Sequence, residues 1–122
     1  MVSNDSAAHL TTEPCLLWVP VPDPACGEAL ARRLLDRHLA ACVNMLPAMR
    51  SFYRWQGEVA ADDEAVLVVK TSQAMAAAAT ACLVEAHPYE LPCVLQLPVA
   101  GGYQPFVQWL CAEAAGPQAE GA

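Results

Sequence analysis

The sequence predicts an α+β fold with the element order βαββαβ, an extended hairpin in its middle and an added helix at the C-terminus. Three observations predict it: short apolar segments bounded by proline or glycine, two segments with apolar residues at helical spacing, and a long alternating stretch that turns back on itself. This order is that of the ferredoxin-like, or split βαβ, motif, in which two helices cover one face of a four-stranded antiparallel sheet.

The first predicted strand is Cys15–Val21, which is too short for a helix and too apolar for a solvated loop. The run Pro22-Asp23-Pro24 ends it, and its aspartate can cap a helix whose first residue is the second proline. Apolar residues then recur at helical spacing opposite charged ones. We therefore expect an amphipathic helix over residues 24–39.

The extended hairpin is predicted from two long arms. The first arm is Ala41–Leu46, broken at Pro47 and resuming over Ser51–Trp55, where large and polar side chains alternate. Gln56-Gly57 supplies the turn, and the second arm ends at Thr71. Both arms exceed the usual strand of about five or six residues. Within the second arm, the acidic run Asp62-Asp63-Glu64 is expected to be a solvated turn.

The second half of the chain adds a helix, a strand and a helix. Ser72 can cap the second helix, which has the clearest apolar periodicity of the chain and ends at His87-Pro88. Cys93–Leu97, flanked by prolines, is predicted to be the fourth strand. The C-terminal helix is predicted to carry its apolar residues on one face, namely Phe106, Trp109 and Leu110.

Composition indicates one domain that buries apolar surface against a partner. The chain has 122 residues, of which 56% are hydrophobic, more than a monomer of this size needs. The predicted helices leave one sheet face uncovered, and the hairpin arms overrun a single sheet. A closed symmetric oligomer of the same chain would cover both.

Charge, hydropathy and cysteine usage exclude several other classes. A net charge of -7 disfavours nucleic acid, and no apolar run approaches the ~20 residues that span a bilayer. The start of the chain lacks the features of a signal peptide, and the six scattered cysteines are expected to be reduced thiols. We expect a cytoplasmic protein with a disordered leader over residues 1–14, a domain over 15–114 and a flexible tail over 115–122.

Catalytic signatures are also missing from the sequence. It contains no phosphate-binding glycine loop and no local Ser/His/Asp pattern, and the surroundings of Cys42 and Cys93 do not identify a nucleophile. We therefore expect a binding or assembly protein and not an enzyme. An enzyme whose active site is shared between subunits is kept as an alternative of a different class.

Several segments, in their correct order, resemble the CutA family of divalent-cation tolerance proteins across about residues 16–112. They are Ala40-Ala41-Cys42-Val43-Asn44, Ser51-Phe52-Tyr53-Arg54-Trp55-Gln56-Gly57, Glu64 with Lys70-Thr71, His87-Pro88-Tyr89-Glu90-Leu91-Pro92, Leu97-Pro98-Val99 and Trp109-Leu110. The resemblance implies a homotrimer in which the hairpins pair across subunits, similar in architecture to the PII signalling proteins. It also implies a role in the tolerance of divalent metal ions, copper in particular.

The same resemblance implies a metal site made of His87, a cysteine near the end of the first strand and a glutamate after the second proline of the His-Pro-Tyr segment. Those last two positions hold Val19 and Cys93 in this chain. Valine cannot bind a metal, and a thiolate favours Cu(I) or Zn over Mg or Ca. We therefore expect at most weak binding of Cu or Zn by His87 and Cys93. A hydrogen bond from His87 at the end of its helix is the structural alternative.

Five further residues are candidates for an intersubunit cleft or interface. Tyr53, Trp55 and Tyr89 are amphipathic and suit either interface packing or a small-ligand cleft. Glu64 and Lys70 fall on the same strand face and suit an ion pair, within or across subunits, or in the case of the lysine an anion site. The alternative function is therefore a PII-like sensor that binds a small anionic metabolite between subunits.

Overall fold

The computed structural model describes residues 12–117, whose strands form a single antiparallel sheet in the order β2-β3-β1-β4. The predicted leader and tail fall largely on residues 1–11 and 118–122, which lie outside the described residues. The predicted α+β class with a four-stranded antiparallel sheet is confirmed. The elements are β1 (Pro14–Val21), α1 (Pro24–Asp36), β2 (Cys42–Trp55), β3 (Glu58–Ser72), α2 (Ala76–Ala86), β4 (Leu95–Pro98) and α3 (Gln104–Glu113).

The core lies between the sheet and helices α1 and α2. Alternate side chains of β1 and β3 face the helices and are almost completely buried, because successive strand residues point to opposite faces. Each large apolar side chain buried here stabilises the fold by about 2 kcal/mol. The cluster comprises Cys15, Leu17, Val19, Val21, Leu30, Leu34, Ala65, Leu67, Val69, Ala79 and Leu83 among others.

Helix α1 begins as predicted and ends earlier than predicted. Asp23 Oδ1 accepts a hydrogen bond from Cys26 N–H at 2.8 Å, with Pro24 at the first helical position. The expected end at Leu39 is wrong by three residues, because His38 adopts a positive φ of 55°. Leu39 N–H then donates to Leu34 O at 3.0 Å, which is the Schellman arrangement that terminates a helix.

The extended hairpin is continuous, although its sequence contains a proline. Arm β2 has 14 residues and arm β3 has 15, and a register shift between Leu46 and Met49 accommodates Pro47 as a β-bulge. Gln56 and Gly57 have φ values of 51° and 84°, so the predicted turn is of the kind that requires positive φ at both positions.

Two boundaries in the second half differ from prediction. Ser72 Oγ accepts the Met75 N–H as predicted, but a 3-10 turn over Gln73–Met75 precedes α2. Strand β4 pairs with β1 only from Leu95 onward, so Cys93 lies in the preceding loop and not in the strand. The loop that contains Cys93 does not extend the pairing with β1, because hydrogen bonds of His87 to Pro20 and of Tyr89 to Glu64 hold it in place.

Helix α3 packs against the protein through one face. Its buried residues are Val107, Leu110 and Cys111, whereas Phe106 and Trp109 are exposed and contact each other at 5.5 Å between ring centroids. Of the three apolar residues predicted to share one face of the helix, Leu110 is therefore buried, and Phe106 and Trp109 are not. The hydrogen bond from Ser72 Oγ to Ala114 O, 3.0 Å long, helps to fix the rotation of the helix.

The second face of the sheet is partly bare. Leu16 and Trp18 on β1 are the Cα partners of Leu97 and Leu95 on β4, and all four point away from α1 and α2. Leu95 is 61% exposed and Leu97 is 44% exposed. Apolar residues near the hairpin tip, Phe52 and Val59, are still more exposed. An apolar surface of this kind marks an interaction site.

Candidate functional site

The loop between α2 and β4 is positioned by His87, which is only 7% exposed. His87 Nε2–H donates to Pro20 O at 2.9 Å, while Nδ1 accepts the N–H of Tyr89 at 3.2 Å. The second bond assigns the ring proton to Nε2, so His87 is the neutral Nε2–H tautomer. Both ring nitrogens are therefore engaged, and a metal ion would have to displace one of these hydrogen bonds.

Tyr89 connects this loop to the hairpin. Its hydroxyl donates to Glu64 Oε2 at 2.7 Å, and its ring lies 4.7 Å from the His87 ring. Burial raises the pKa of Tyr89, and the hydrogen bond and charge of Glu64 raise it further, because both favour the protonated hydroxyl. Glu64 is half-buried on β3 and holds the loop against the sheet.

A second tyrosine–carboxylate pair lies farther along the hairpin. Tyr53 is the Cα partner of Ala60, so Asp62 is its diagonal neighbour on the same face. The Tyr53 hydroxyl donates to Asp62 Oδ2. That hydrogen bond is the main cause of the raised pKa of Tyr53, with burial and the charges of Asp62 and Glu64 adding to it.

These two pairs line a cavity of about 620 Å³ between the hairpin and residues 88–93, which we call the hairpin cavity. Of the five residues predicted to form a cleft or interface, four line it: Tyr53, Trp55, Glu64 and Tyr89. The sequence did not single out Asp62, Glu90 or Leu91 as members of a site. Strand alternation could have identified Asp62, because it places Asp62 and Glu64 on one face of β3. Asp63 lies on the other face, where it pairs with Arg50 at 3.0 Å.

The acidic run is therefore part of β3, and its assignment to a solvated turn is wrong. Cross-strand pairing with Ser51 and Arg50 on β2 holds Asp62 and Asp63 in extended backbone. Asp62 then faces the hairpin cavity, and Asp63 faces Arg50.

Lys70 lies apart from this group. It lies six positions along the strand from Glu64, roughly 20 Å at the usual rise. Its Nζ lies 5.5 Å from the centroid of the Phe106 ring, in cation–π geometry. The expected ion pair with Glu64 cannot form within one chain, and a pair across subunits stays a prediction.

Cys93 and Val19 do not complete a metal site with His87 in one chain. Val19 is fully buried in the core. Cys93 lines the hairpin cavity, and its pKa is raised by partial burial and by the charge of Glu64, which opposes the thiolate form that binds metals. Within residues 12–117, no group of three or more His, Cys, Asp or Glu side chains could hold a metal ion.

All six cysteines are free, and three of them, Cys15, Cys82 and Cys111, are buried. None of the helices within the described range is long and apolar enough to cross a membrane.

These features define a class of small α+β protein in which a four-stranded sheet carries a hairpin much longer than the sheet needs. A family model described as "CutA1 divalent ion tolerance protein" matches residues 15–113. The chain belongs to this CutA1 family, which confirms the resemblance noted in the sequence.

Relatives from bacteria, plants and animals agree with this assignment. The divalent-cation tolerance protein CutA of Pectobacterium atrosepticum is 41% identical over 89 residues, covering 73% of this chain and 81% of that protein. The chloroplastic protein CutA of Arabidopsis thaliana is 36% identical over 100 residues, covering 82% and 55%. Human protein CutA is 32% identical over 108 residues, covering 88% and 60%. The chain thus spans little more than half the length of the plant and human relatives.

Solved structures give the same result for the fold. CutA from Xylella fastidiosa superposes with a TM-score of 0.81 at 34% identity, covering 84% of this chain and 98% of that one. CutA1 from Oryza sativa superposes with a TM-score of 0.80 at 36% identity, covering 84% and 95%. The α+β fold is therefore shared with these CutA proteins over nearly their whole length.

Proposed function

We propose that the chain acts as a homotrimer that contributes to tolerance of divalent metal ions, copper among them, through binding and assembly rather than covalent chemistry. Family membership supports the link to divalent cations, because the bacterial relatives from Pectobacterium atrosepticum and Thermus thermophilus are named for it. Free cysteines suit a reducing compartment such as the cytoplasm.

The observation that carries the assembly part of the proposal is the bare second face of the sheet. Leu95, Leu97 and Trp18 form an apolar surface there, and the hairpin extends beyond the body of the sheet with Phe52 and Val59 exposed. Leaving several large apolar side chains in water forgoes about 2 kcal/mol for each. Contact with further copies of the same chain would bury them, and a closed ring of three would also pair the hairpins.

The metal part of the proposal is limited by what one chain contains. His87 has both ring nitrogens hydrogen-bonded, Val19 cannot ligate, and Cys93 is disfavoured as a thiolate. The residues present do not fit a tight metal site of their own. Binding of Cu or Zn is therefore expected to be weak and to depend on donors that assembly brings together.

The PII-like alternative is not favoured. Its anion site relied on Lys70, which contacts Phe106 and does not line the hairpin cavity. The lining of that cavity contains three carboxylates, Asp62, Glu64 and Glu90, and one basic residue, Arg54. We therefore do not propose an anionic metabolite as ligand.

The test is the mass of the native protein by sedimentation velocity at micromolar concentration. We expect three times the chain mass of 13.0 kDa. The double substitution Leu95→Glu and Leu97→Glu should dissociate the assembly, because it places two charges on the second face. Val84→Glu, on the exposed side of α2, is the matched control and should leave the mass unchanged. Sedimentation of the native chain as a monomer would contradict the proposal.

A further inference from the structure

Lys70 is the only lysine of the chain, and within residues 12–117 no carboxylate pairs with it. Its Nζ lies instead over the Phe106 ring, 5.5 Å from the centroid. By contrast, Arg32 and Arg50 each contact a carboxylate, at 2.9 Å and 3.0 Å. Lys70 is therefore a half-buried cation whose counter-ion does not come from the described part of its own chain.

Lys70 lies on the second face of the sheet, which is the face that the proposed assembly covers. It is the Cα partner of Leu16, which points away from α1 and α2 and is opposite Leu97 on β4. Burial of an unpaired ammonium group in an apolar interface is strongly unfavourable unless a carboxylate accompanies it. An assembly that covers this face must therefore bring an anion to Lys70.

The hairpin cavity presents carboxylates on the same face of the sheet. Glu64 is half-buried there and accepts the Tyr89 hydroxyl through Oε2, and Asp62 accepts the Tyr53 hydroxyl through Oδ2. Arg54 also lines the cavity, but it follows Tyr53 on β2, so alternation directs its side chain to the opposite face. The tyrosines therefore hold these carboxylates in place, and among the described residues no basic side chain pairs with either.

We propose that, in the assembly, Lys70 of one copy enters the hairpin cavity of the next copy and forms an ion pair with Glu64 there. The inference rests on the proposed homotrimer and names a contact that joins its subunits. Within one chain the two residues lie six positions apart along β3, roughly 20 Å, so the pair forms only between chains.

A closed ring of three suits a contact between these two surfaces. In such a ring each chain contacts its two neighbours through different surfaces, so the hairpin of one chain can meet the Lys70 end of the next sheet. The hairpin arms have 14 and 15 residues against 8 in β1, and they extend beyond the body of their own sheet.

The size of the hairpin cavity also favours entry of a side chain from a neighbour. Once the second face is covered, a volume of about 620 Å³ would be a large void inside the assembly. Protein interiors contain few voids larger than a water molecule. Lys70 of a neighbour would occupy part of this volume, and its charge would be balanced by that of Glu64.

A double-mutant cycle tests the ion pair. Lys70→Met removes the charge but keeps an apolar stem beside Phe106, and Glu64→Gln removes the charge but keeps an acceptor for Tyr89. Dissociation is followed by sedimentation velocity at a fixed urea concentration at which half of the native protein is dissociated. We expect each single substitution to weaken assembly at least about tenfold, and the double substitution to weaken it little further. Multiplied effects, about hundredfold for the double substitution, would overturn the proposal.

Asp63→Asn is the matched control for Glu64→Gln. It removes the same charge from the adjacent position, which lies on the opposite face of β3 and binds Arg50. Its effect should multiply with that of Lys70→Met. Coupling of Lys70 to Asp63 and not to Glu64 would refute the assignment. A monomeric native protein would contradict the homotrimer itself, whereas an intact trimer with uncoupled Lys70 and Glu64 would overturn this inference alone.

Zero-length cross-linking detects the contact directly. A carbodiimide joins a carboxylate and an amine that are in contact as an amide, and Lys70 offers the only side-chain amine. Isotopically labelled and unlabelled chains are mixed in urea and reassembled before the reaction, so that mass spectrometry separates links between chains from links within one. We expect an amide between Lys70 of one isotopic form and Glu64 of the other, and its loss in Glu64→Gln. Links from Lys70 to other carboxylates only would contradict the proposal.

Discussion

Cys15 shows most directly how burial changes the pKa of a single side chain. The side chain is inaccessible to solvent, its Sγ–H donates to Ser72 O at 3.6 Å, and its pKa is raised to about 11 by burial and, less strongly, by the charge of Cys111. The native protein therefore keeps this proton at a pH at which the unfolded chain has released it.

This difference predicts a loss of stability at alkaline pH. Below pH 9 both the native and the unfolded chain hold the Cys15 proton, so this group's contribution to the free energy of unfolding is fully present. As the pH rises from 9 towards 11, the unfolded chain binds fewer protons than the native protein, so the free energy of unfolding falls, by on the order of 2 kcal/mol for this group.

Urea unfolding at a series of pH values measures the effect. Cys15→Ala should be less stable at neutral pH because of the lost packing, but its stability should fall less steeply above pH 9. Cys42→Ala, at a half-buried position, is the control and should keep the native slope. The same slope in Cys15→Ala and the native protein would show that this thiol does not carry the effect.

Glu64 and Lys70 show what strand alternation alone can and cannot predict about contacts between residues. Strand alternation places both on one face of β3, but a shared face does not imply proximity when five residues intervene. Tyr89, which is 25 residues from Glu64 in the sequence, is the partner that the fold supplies. Sequence identified four of the cavity residues by type, but the contacts among them depend on the packing of the loop against the hairpin.

At the scale of elements, features that depend on neighbouring residues were predictable from the sequence, whereas features that depend on tertiary contacts were not. The cap at Asp23 and the turn at Gln56-Gly57 depend on neighbouring backbone only, and both are present as expected. Pro47 was expected to interrupt β2, but long pairing with β3 absorbs it in a bulge. The rotation of α3 involves a contact with Ser72, which is 42 residues from Ala114, and helical periodicity alone could not reveal it.

The turn of the hairpin gives a prediction for this element. Gly57 has a φ of 84°, and a Cβ added there would have no atom within 4 Å, so any cost of substitution arises from the backbone. Gly57→Val should lower the free energy of unfolding by about 1–2 kcal/mol. Gln56→Asn should raise it slightly, because Asn-Gly is the preferred pair for this turn.

Equilibrium unfolding of the two variants in urea provides the measurement. Opposite signs for Gly57→Val and Gln56→Asn are expected, since one adds strain at positive φ and the other relieves it. An unchanged stability of Gly57→Val would mean that the turn relaxes without cost to the hairpin.

At the scale of the whole molecule, we expect the core and the sheet to carry the stability without a metal. The described residues bury a continuous apolar cluster and contain no group of three metal-binding side chains. A protein held together by a structural metal loses on the order of 10 kcal/mol when the metal is removed. The present architecture differs from such proteins, because its hydrogen bonds and packing are complete around His87.

We therefore predict that extensive dialysis against EDTA shifts Tm by less than about 2 °C, given that 1 kcal/mol corresponds to roughly 4–8 °C for a domain of this size. Differential scanning calorimetry of the dialysed and untreated protein, at equal concentration, makes the comparison. His87→Ala serves as a positive control for sensitivity, because losing two buried hydrogen bonds should lower Tm in both samples. A large fall in Tm on chelation would contradict the prediction.

Ser72 brings the beginning and the end of the described chain to one place. Its Cα partner across the sheet is Pro14, its carbonyl accepts the Cys15 thiol, and its hydroxyl donates to Ala114 O. A peptide linker of about five residues would reach between these ends. The chain is thus suited to circular permutation, with new termini opened at the exposed Gly101-Gly102 segment and every strand pairing retained.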